Sequence, residues 1–340
     1  MSTRQRAAVL VGILISAVFL WFAFRNLHPE AVWEELQQAS VGWLLAGAAW
    51  FFVSMFFMAL RWQFLLRAVR AVSLAELWRL VAIGYMGNNV YPFRSGEALR
   101  VFLLQRNAGV PVMRGATTVV VERVFDGLVM LTFILLGLAL SDIVSTDVQR
   151  LIGVAAPVFL TATAVFFVLA ARPDLLRLLV RLVARMLPGR LEELVTGLGE
   201  DVISGLEGLR TPAHLAGTVF GSYASWATHA GVYWMVAAAF GIQTTLPVML
   251  AVVGAVNLAG LVPATPGQLG VFEFFASAVM VASGVPEALA LGYAIVVHVV
   301  IWLPVTLLGF FYLVRQGLGW QAITQARELE ERAAEQPQQH

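Results

Sequence analysis

The chain has 340 residues, 59% hydrophobic and 13% charged, with a formal net charge of +1 and a mean hydropathy of +0.80. That balance excludes a soluble domain of this length and offers no basic patch for nucleic acid. With neither cysteine nor lysine, it also excludes disulfides, zinc–thiolate sites and a lysine-bearing phosphate loop.

In chain order, Arg4 and Arg6 precede an apolar run that ends at Phe22-Ala23-Phe24-Arg25. The run is long and has no small-x-small cleavage pattern, so 7–25 reads as a retained first crossing rather than a signal peptide. Runs of about twenty apolar residues, enough to span roughly 30 Å of hydrocarbon, then recur. They lie at 42–60, 115–140, 151–171, 213–240 and 288–314. Two further stretches, 75–106 and 246–284, are broken by proline, glycine and charge. The first break carries Asn88, Asn89, Pro92, Gly96 and Glu97; the second carries Asn257, Pro263, Thr265, Pro266, Gly267, Gly270 and Glu273. Lipid cannot satisfy freed backbone groups, so such breaks persist only where protein or a wet cavity surrounds them. Paired broken segments are a sequence pointer to a transport site.

The expected fold is therefore all-α: a polytopic membrane protein of about six full crossings plus two re-entrant helical hairpins. One transmembrane domain is expected over 1–316 and a polar cytoplasmic tail over 317–340. Hydropathy does not separate this count from eight to ten crossings. The arginine bias puts both termini in the cytoplasm, with Arg61, Arg67, Arg70, Arg79, Arg106, Arg114 and Arg315 on that side, under the positive-inside rule. The two hairpins then enter from opposite faces. Gly109-Val110-Pro111 follows the first break and Gly284-Val285-Pro286 the second, with Arg123 and His298 each twelve residues beyond the proline. An inverted repeat explains this; coincidence between two Gly/Pro-rich turns is the other reading. Over 173–210, Arg177, Arg181 and Arg185 stand four apart on an aliphatic helix. This fits an interfacial helix with its arginines toward anionic headgroups.

Ionisable residues at membrane depth are functional candidates. Here they are Arg94, Glu97, Arg100, Glu122, Arg123 and Asp126, with Asn257 and Glu273 in the second half. Glu97 and Arg100 are spaced to pair on one helix, and Arg123 and Asp126 likewise. Two readings stand: a charge-compensated cluster that holds the first hairpin against the third crossing, or an arginine site for a phosphate with the carboxylates as counter-charges. Glu273 either faces an anion site at a helix N-terminus or caps that helix, and Asn257 is a candidate to bridge the broken backbone. His229 and His298 read as packed, hydrogen-bonded residues rather than proton carriers. No catalytic set, metal set or cofactor motif is expected; the expected partner is membrane lipid, with a lipid or glycan synthase as an alternative.

Four motifs, in order, carry a resemblance: Leu60-Arg61-Trp62; Pro92-Phe93-Arg94-Ser95-Gly96-Glu97 with Arg100; Glu122-Arg123-Val124-Phe125-Asp126; and Pro263-Ala264-Thr265-Pro266-Gly267-Gln268-Leu269-Gly270 with Glu273. Over roughly 7–316 the chain resembles the flippase-like membrane domain of the lysylphosphatidylglycerol synthases. Gln268 departs from that pattern, which usually has a second glycine there. The resemblance implies paired re-entrant hairpins and movement of a lipid between leaflets. It does not imply lysine transfer, which in those synthases belongs to a separate cytoplasmic domain. The competing expectations are a membrane-embedded lipid-modifying enzyme and a non-catalytic partner of a synthase.

Overall fold

The computed structural model describes residues 29–91, 95–141, 163–185, 189–259 and 265–316, with isolated positions at 14, 17–21, 157, 160 and 161. The expectations for Pro92, Arg94, Pro263, most of the first crossing, the start of the 151–171 crossing and the tail lie outside the described residues.

Among the described residues there is helix and no strand. A short α1 (Pro29–Gln38) precedes α2 (Val41–Leu66), then α3 (Leu74–Val90), α4 (Gly96–Ala108) and α5 (Val112–Leu140). Two peripheral helices, α6 (Pro173–Ala184) and α7 (Gly189–Gly205), lead to α8 (Pro212–Ala239). The chain then forms α9 (Leu246–Ala259), α10 (Val271–Ala282) and α11 (Glu287–Arg315). By length and composition α2 and α11 are apolar enough to cross a membrane. At 29 and 28 residues, α5 and α8 reach a similar length, about 40 Å at 1.5 Å per residue. Their outward faces are apolar: Leu136, Leu140, Phe220, Trp234, Leu307 and Phe311 are exposed. Water would not tolerate so extended a surface, and lipid does.

Lengths recur along the chain. The series α2, α3, α4, α5 has 26, 17, 13 and 29 residues; α8, α9, α10, α11 has 28, 14, 12 and 29. Each short returning helix ends near a glycine of positive φ, Gly109 at 64° and Gly284 at 95°. Each 29-residue helix then starts from a proline cap, Pro111 or Pro286. Packing is reciprocal: α2 lies along α8, α5 on α9, and α11 on α3. The α2–α8 pair is antiparallel, since Gly47 meets Val232 and Met235 while Gly217 meets Phe64.

The broken stretches are hairpins of short helices. α3 and α4 run antiparallel, their open end joined by Asn107 Nδ2 donating to Glu76 Oε1 at 2.7 Å. Their closed end requires glycine: a Cβ on Gly96 would lie 2.5 Å from Asn88 N, so the two backbones are in contact. In the second half, Thr265 O accepts from Gln268 N at 2.9 Å, and Gly267 (φ 71°) and Gln268 (φ 60°) are both left-handed. The tips meet. A Cβ on Gly267 would fall 2.8 Å from Trp302 Nε1 and 3.5 Å from Asn89 O, and Asn89 Nδ2 donates to Thr306 Oγ1 at 2.8 Å.

The 173–210 segment differs from the expectation of three arginines presented together to headgroups. It folds as the α6–α7 pair, and Arg177 is engaged by Glu200 of α7 at 2.9 Å. A hydrogen bond from this guanidinium holds the Glu200 carboxyl below its usual pKa. The arginine spacing is helical as read, but a second helix supplies a carboxylate that a single-helix reading does not anticipate.

Two substitutions test the hairpin tips. Gly96→Ala forces α3 and α4 apart and should cost about 1–3 kcal/mol, the usual range for overpacking. Gln268→Gly should gain about 1 kcal/mol by removing a left-handed non-glycine residue. Thermal unfolding of the purified protein measures both; an unchanged midpoint for Gly96→Ala would contradict the close approach.

Candidate functional site

The described charges at depth converge where α2, α4, α5 and α8 meet. Glu122 of α5 is fully buried. Its Oε2 accepts from Arg100 Nη2 of α4 at 2.5 Å and lies 3.7 Å from Arg61 Nη2 of α2. One turn on, Asp126 pairs with Arg61 Nη1 and accepts from Trp226 Nε1 of α8 at 2.6 Å. Arg123 points to the opposite edge, with Glu97 Oε1 and Asp126 Oδ2 each at 3.4 Å. Trp62 forms the floor: Arg100 Cζ sits 4.2 Å from its ring centroid, and its indole N–H donates to Thr118 Oγ1 at 2.9 Å.

Three guanidinium groups thus face three carboxylates, and charge balances within the cluster. Opposed charges and hydrogen bonds offset the desolvation that each ion would otherwise suffer. Satisfaction is incomplete, since Arg61 Nε, Arg100 Nε and Glu122 Oε1 are buried without a hydrogen-bond partner among the described residues. Arg123 differs from the other two: its side chain is 44% exposed, against 3% for Arg61 and 7% for Arg100. It is the most exposed of the three cluster cations.

Several sequence expectations need correction. Glu97 and Arg100 do not pair with one another; Glu97 meets Arg123 and Arg100 meets Glu122, because both side chains reach across to α5 rather than along α4. Arg61 is not an exposed flank of its crossing but is buried against Glu122 and Asp126. Helix α2 continues to Leu66, which keeps Arg61 inside the bundle. The available signal was an arginine beside a tryptophan at the end of an apolar run. Trp226, the indole donor to Asp126, carried no signal, since nothing in an apolar helix marks one tryptophan as a donor to a carboxylate. The spacing-based pair of Arg123 with Asp126 is present.

In the second half, Glu273 caps α10: its Oε2 accepts from Gly270 N at 2.6 Å. Its Oε1 lies 2.6 Å from His298 Nδ1, and that imidazole stacks on Phe272 at 4.2 Å between centroids. His298 is therefore packed and hydrogen-bonded, in line with the reading from sequence. Asn257 does not bridge the break among the described residues; its Nδ2 donates to Val253 O of its own helix at 2.7 Å. His229 is buried among Phe51, Trp226 and Tyr233. The two halves share one further feature. A carboxylate from the first turn of the returning helix meets the side chain twelve residues past the proline, Glu97 with Arg123 and Glu273 with His298.

A helical bundle with apolar, lipid-compatible faces and ion pairs buried between its helices has the make-up of a membrane protein. The chain belongs to the family of the lysylphosphatidylglycerol synthase TM region, whose sequence model matches residues 9–309. It is 27% identical over 332 residues to glycosyltransferase AglD of Haloferax volcanii, covering 87% of this chain and 52% of that protein. The chain thus spans about half the length of that relative. It is 24% identical to a UPF0104 membrane protein of Pyrococcus horikoshii, covering 90% of this chain and 95% of that one. A UPF0104 membrane protein of Methanothermobacter thermautotrophicus is 25% identical, covering 88% and 90%.

Removing Glu122 strands the buried Arg100 guanidinium and leaves Arg61 with Asp126 alone. Glu122→Ala should therefore cost about 3–5 kcal/mol, the scale for breaking a buried pair from one side. Arg123→Gln, half in solvent, should cost under about 1 kcal/mol. Denaturation midpoints of the two variants in one detergent compare them, and equal losses would contradict the assigned burial.

Proposed function

We propose that this protein moves a phosphate-bearing lipid, a phospholipid or a polyprenyl-phosphate-linked lipid, between the leaflets of the cell membrane. The observation that carries the reading is the balanced cluster of Arg61, Arg100, Arg123, Glu97, Glu122 and Asp126 beside the closed end of the first hairpin. A phosphate ester offers the same paired oxygens to a guanidinium as a carboxylate does. Arg123 is the group that would exchange Glu97 for a headgroup phosphate, with Arg94, two residues before Gly96 in the sequence, as a second donor. Arg61 and Arg100, held by Glu122 and Asp126, keep the surrounding field fixed. The carboxylates balance Arg61, Arg100 and Arg123, so Arg94 supplies the positive charge that the lipid phosphate would neutralise.

In this reading both termini are cytoplasmic, the short-helix hairpins are re-entrant from opposite faces, and the two four-helix series form an inverted repeat. Recurrent lengths, reciprocal packing and the contact between hairpin tips support it. Alternating access would come from one hairpin tip parting from the other, at Asn89 and Gly267. The protein acts as a transporter rather than an enzyme, and Asn257 and Glu273 shape the second hairpin rather than grip the headgroup.

Reconstituted liposomes with labelled phosphatidylglycerol and polyprenyl phosphate test the proposal. Arg123→Gln, which should fold normally, is expected to slow lipid movement roughly 10- to 100-fold, the rate equivalent of losing a charged hydrogen bond of about 1.5–3 kcal/mol. Equal rates for variant and wild type would remove Arg123 from the site. The match to half of a protein named as a glycosyltransferase favours a second reading, a membrane partner of a glycan-lipid synthase. Stoichiometric co-purification of one such enzyme, with no lipid movement by the isolated chain, would select it.

A further inference from the structure

At the open end of the first hairpin lies a cleft of about 1040 Å³, away from the buried cluster. Four arginines line it: Arg70 beyond α2, Arg79 on α3, Arg106 on α4 and Arg315 on α11. The single carboxylate in the lining is Glu76, and it is already engaged. Its Oε2 meets Arg79 Nη1 at 3.1 Å and its Oε1 accepts from Asn107 Nδ2 at 2.7 Å. Among the described residues, Arg70, Arg106 and Arg315 have no carboxylate partner. Arg70 is also seated: its Nη1 would be 2.8 Å from a Cβ on Gly109, so the glycine turn makes room for the guanidinium. Three unpaired guanidinium groups around one space repel each other and favour an anion between them.

The wall of the cleft indicates which anion. Phe311 lines it and belongs to an exposed apolar stripe on α11 formed by Leu303, Leu307, Phe311 and Val314. Their spacing of four, four and three residues keeps them on one helix face. Basic groups at the head of an apolar track match an amphiphile better than a free phosphate, which has no use for the track.

We propose that this cleft is a headgroup site for an anionic phospholipid of the leaflet it faces. The phosphate lies among Arg70, Arg106 and Arg315, and an acyl chain follows the Leu303–Leu307–Phe311–Val314 stripe. The site is separate from the cluster assigned to transport, and its occupancy does not depend on lipid movement.

Native mass spectrometry of the full chain in detergent tests the site, with phosphatidylglycerol, phosphatidylcholine and glycerol 3-phosphate as probes. Wild type should retain phosphatidylglycerol about tenfold over phosphatidylcholine, the ratio expected from one charge-assisted contact. Arg106→Gln/Arg315→Gln alters two exposed side chains and should abolish that preference. A charge-matched control outside the cleft, Arg67→Gln/Arg181→Gln, should keep it. Equal retention of the two lipids, or a preference that survives in Arg106→Gln/Arg315→Gln, overturns the site. Glycerol 3-phosphate binding as tightly as phosphatidylglycerol overturns the lipid assignment. The Arg123→Gln variant should retain the preference, so failure of transport and failure of this site are read separately.

Discussion

The bundle depends on Glu122. Burying a carboxylate is costly unless opposing charge meets it, and two guanidinium groups from different helices do so: Arg61 from α2 and Arg100 from α4. Those arginines could not be buried without Glu122 and Asp126. The three helices are therefore obliged to meet at one place, whereas apolar packing tolerates many registers between greasy helices. Trp62 and Trp226 complete the constraint, each placing an indole N–H on a polar atom of α5.

That fixed point sets the geometry of the first hairpin. α4 is too short to cross a bilayer alone and is held at two heights on α5, through Arg100 with Glu122 and Arg123 with Glu97. Its closed end is pinned to α3 by backbone contact at Gly96. Among its described residues the second hairpin has no arginine–carboxylate anchor. Its tip is organised by the Glu273 cap and by His298 of α11, then laid against Asn89 and Trp302. A part held by one capped turn is easier to displace than one held by two ion pairs. The asymmetry between the hairpins therefore lies in how they are fastened as well as in their charge.

Much of this was legible in the chain. Apolar length located α2, α5, α8 and α11 to within a few residues, apart from the extension of α2 to Leu66. Pro and Gly marked both breaks, and the paired Gly-Val-Pro steps marked the turn before each 29-residue helix. The pairing of charges was not legible, because partners such as Arg61 and Asp126 are 65 positions apart and either carboxylate of α5 suits either arginine. Spacing along one helix predicted Glu97 with Arg100 and failed, since a long side chain beside another helix has a choice that i,i+3 geometry does not include. Arg61 was misplaced for a similar reason. The positive-inside rule counts arginines near helix ends, and it cannot distinguish one at the interface from one turned inward to a buried carboxylate.

The equivalent pairs Glu97–Arg123 and Glu273–His298 show what the two halves share and where they part. In both, the first turn of the returning helix presents a carboxylate to the same position of the long helix, so this contact ties hairpin to scaffold. Arginine keeps its charge at any accessible pH, and its side chain there is half exposed, so the first pair is a permanent ion pair at a wet edge. His298 is nearly enclosed and covered by Phe272, so the second pair is sealed off, and its carboxylate also holds the turn at Gly270. The first pair is open at the surface of the bundle. The second is not, and its role follows from what Glu273 grips on its other side, the backbone of the tip that touches the first hairpin.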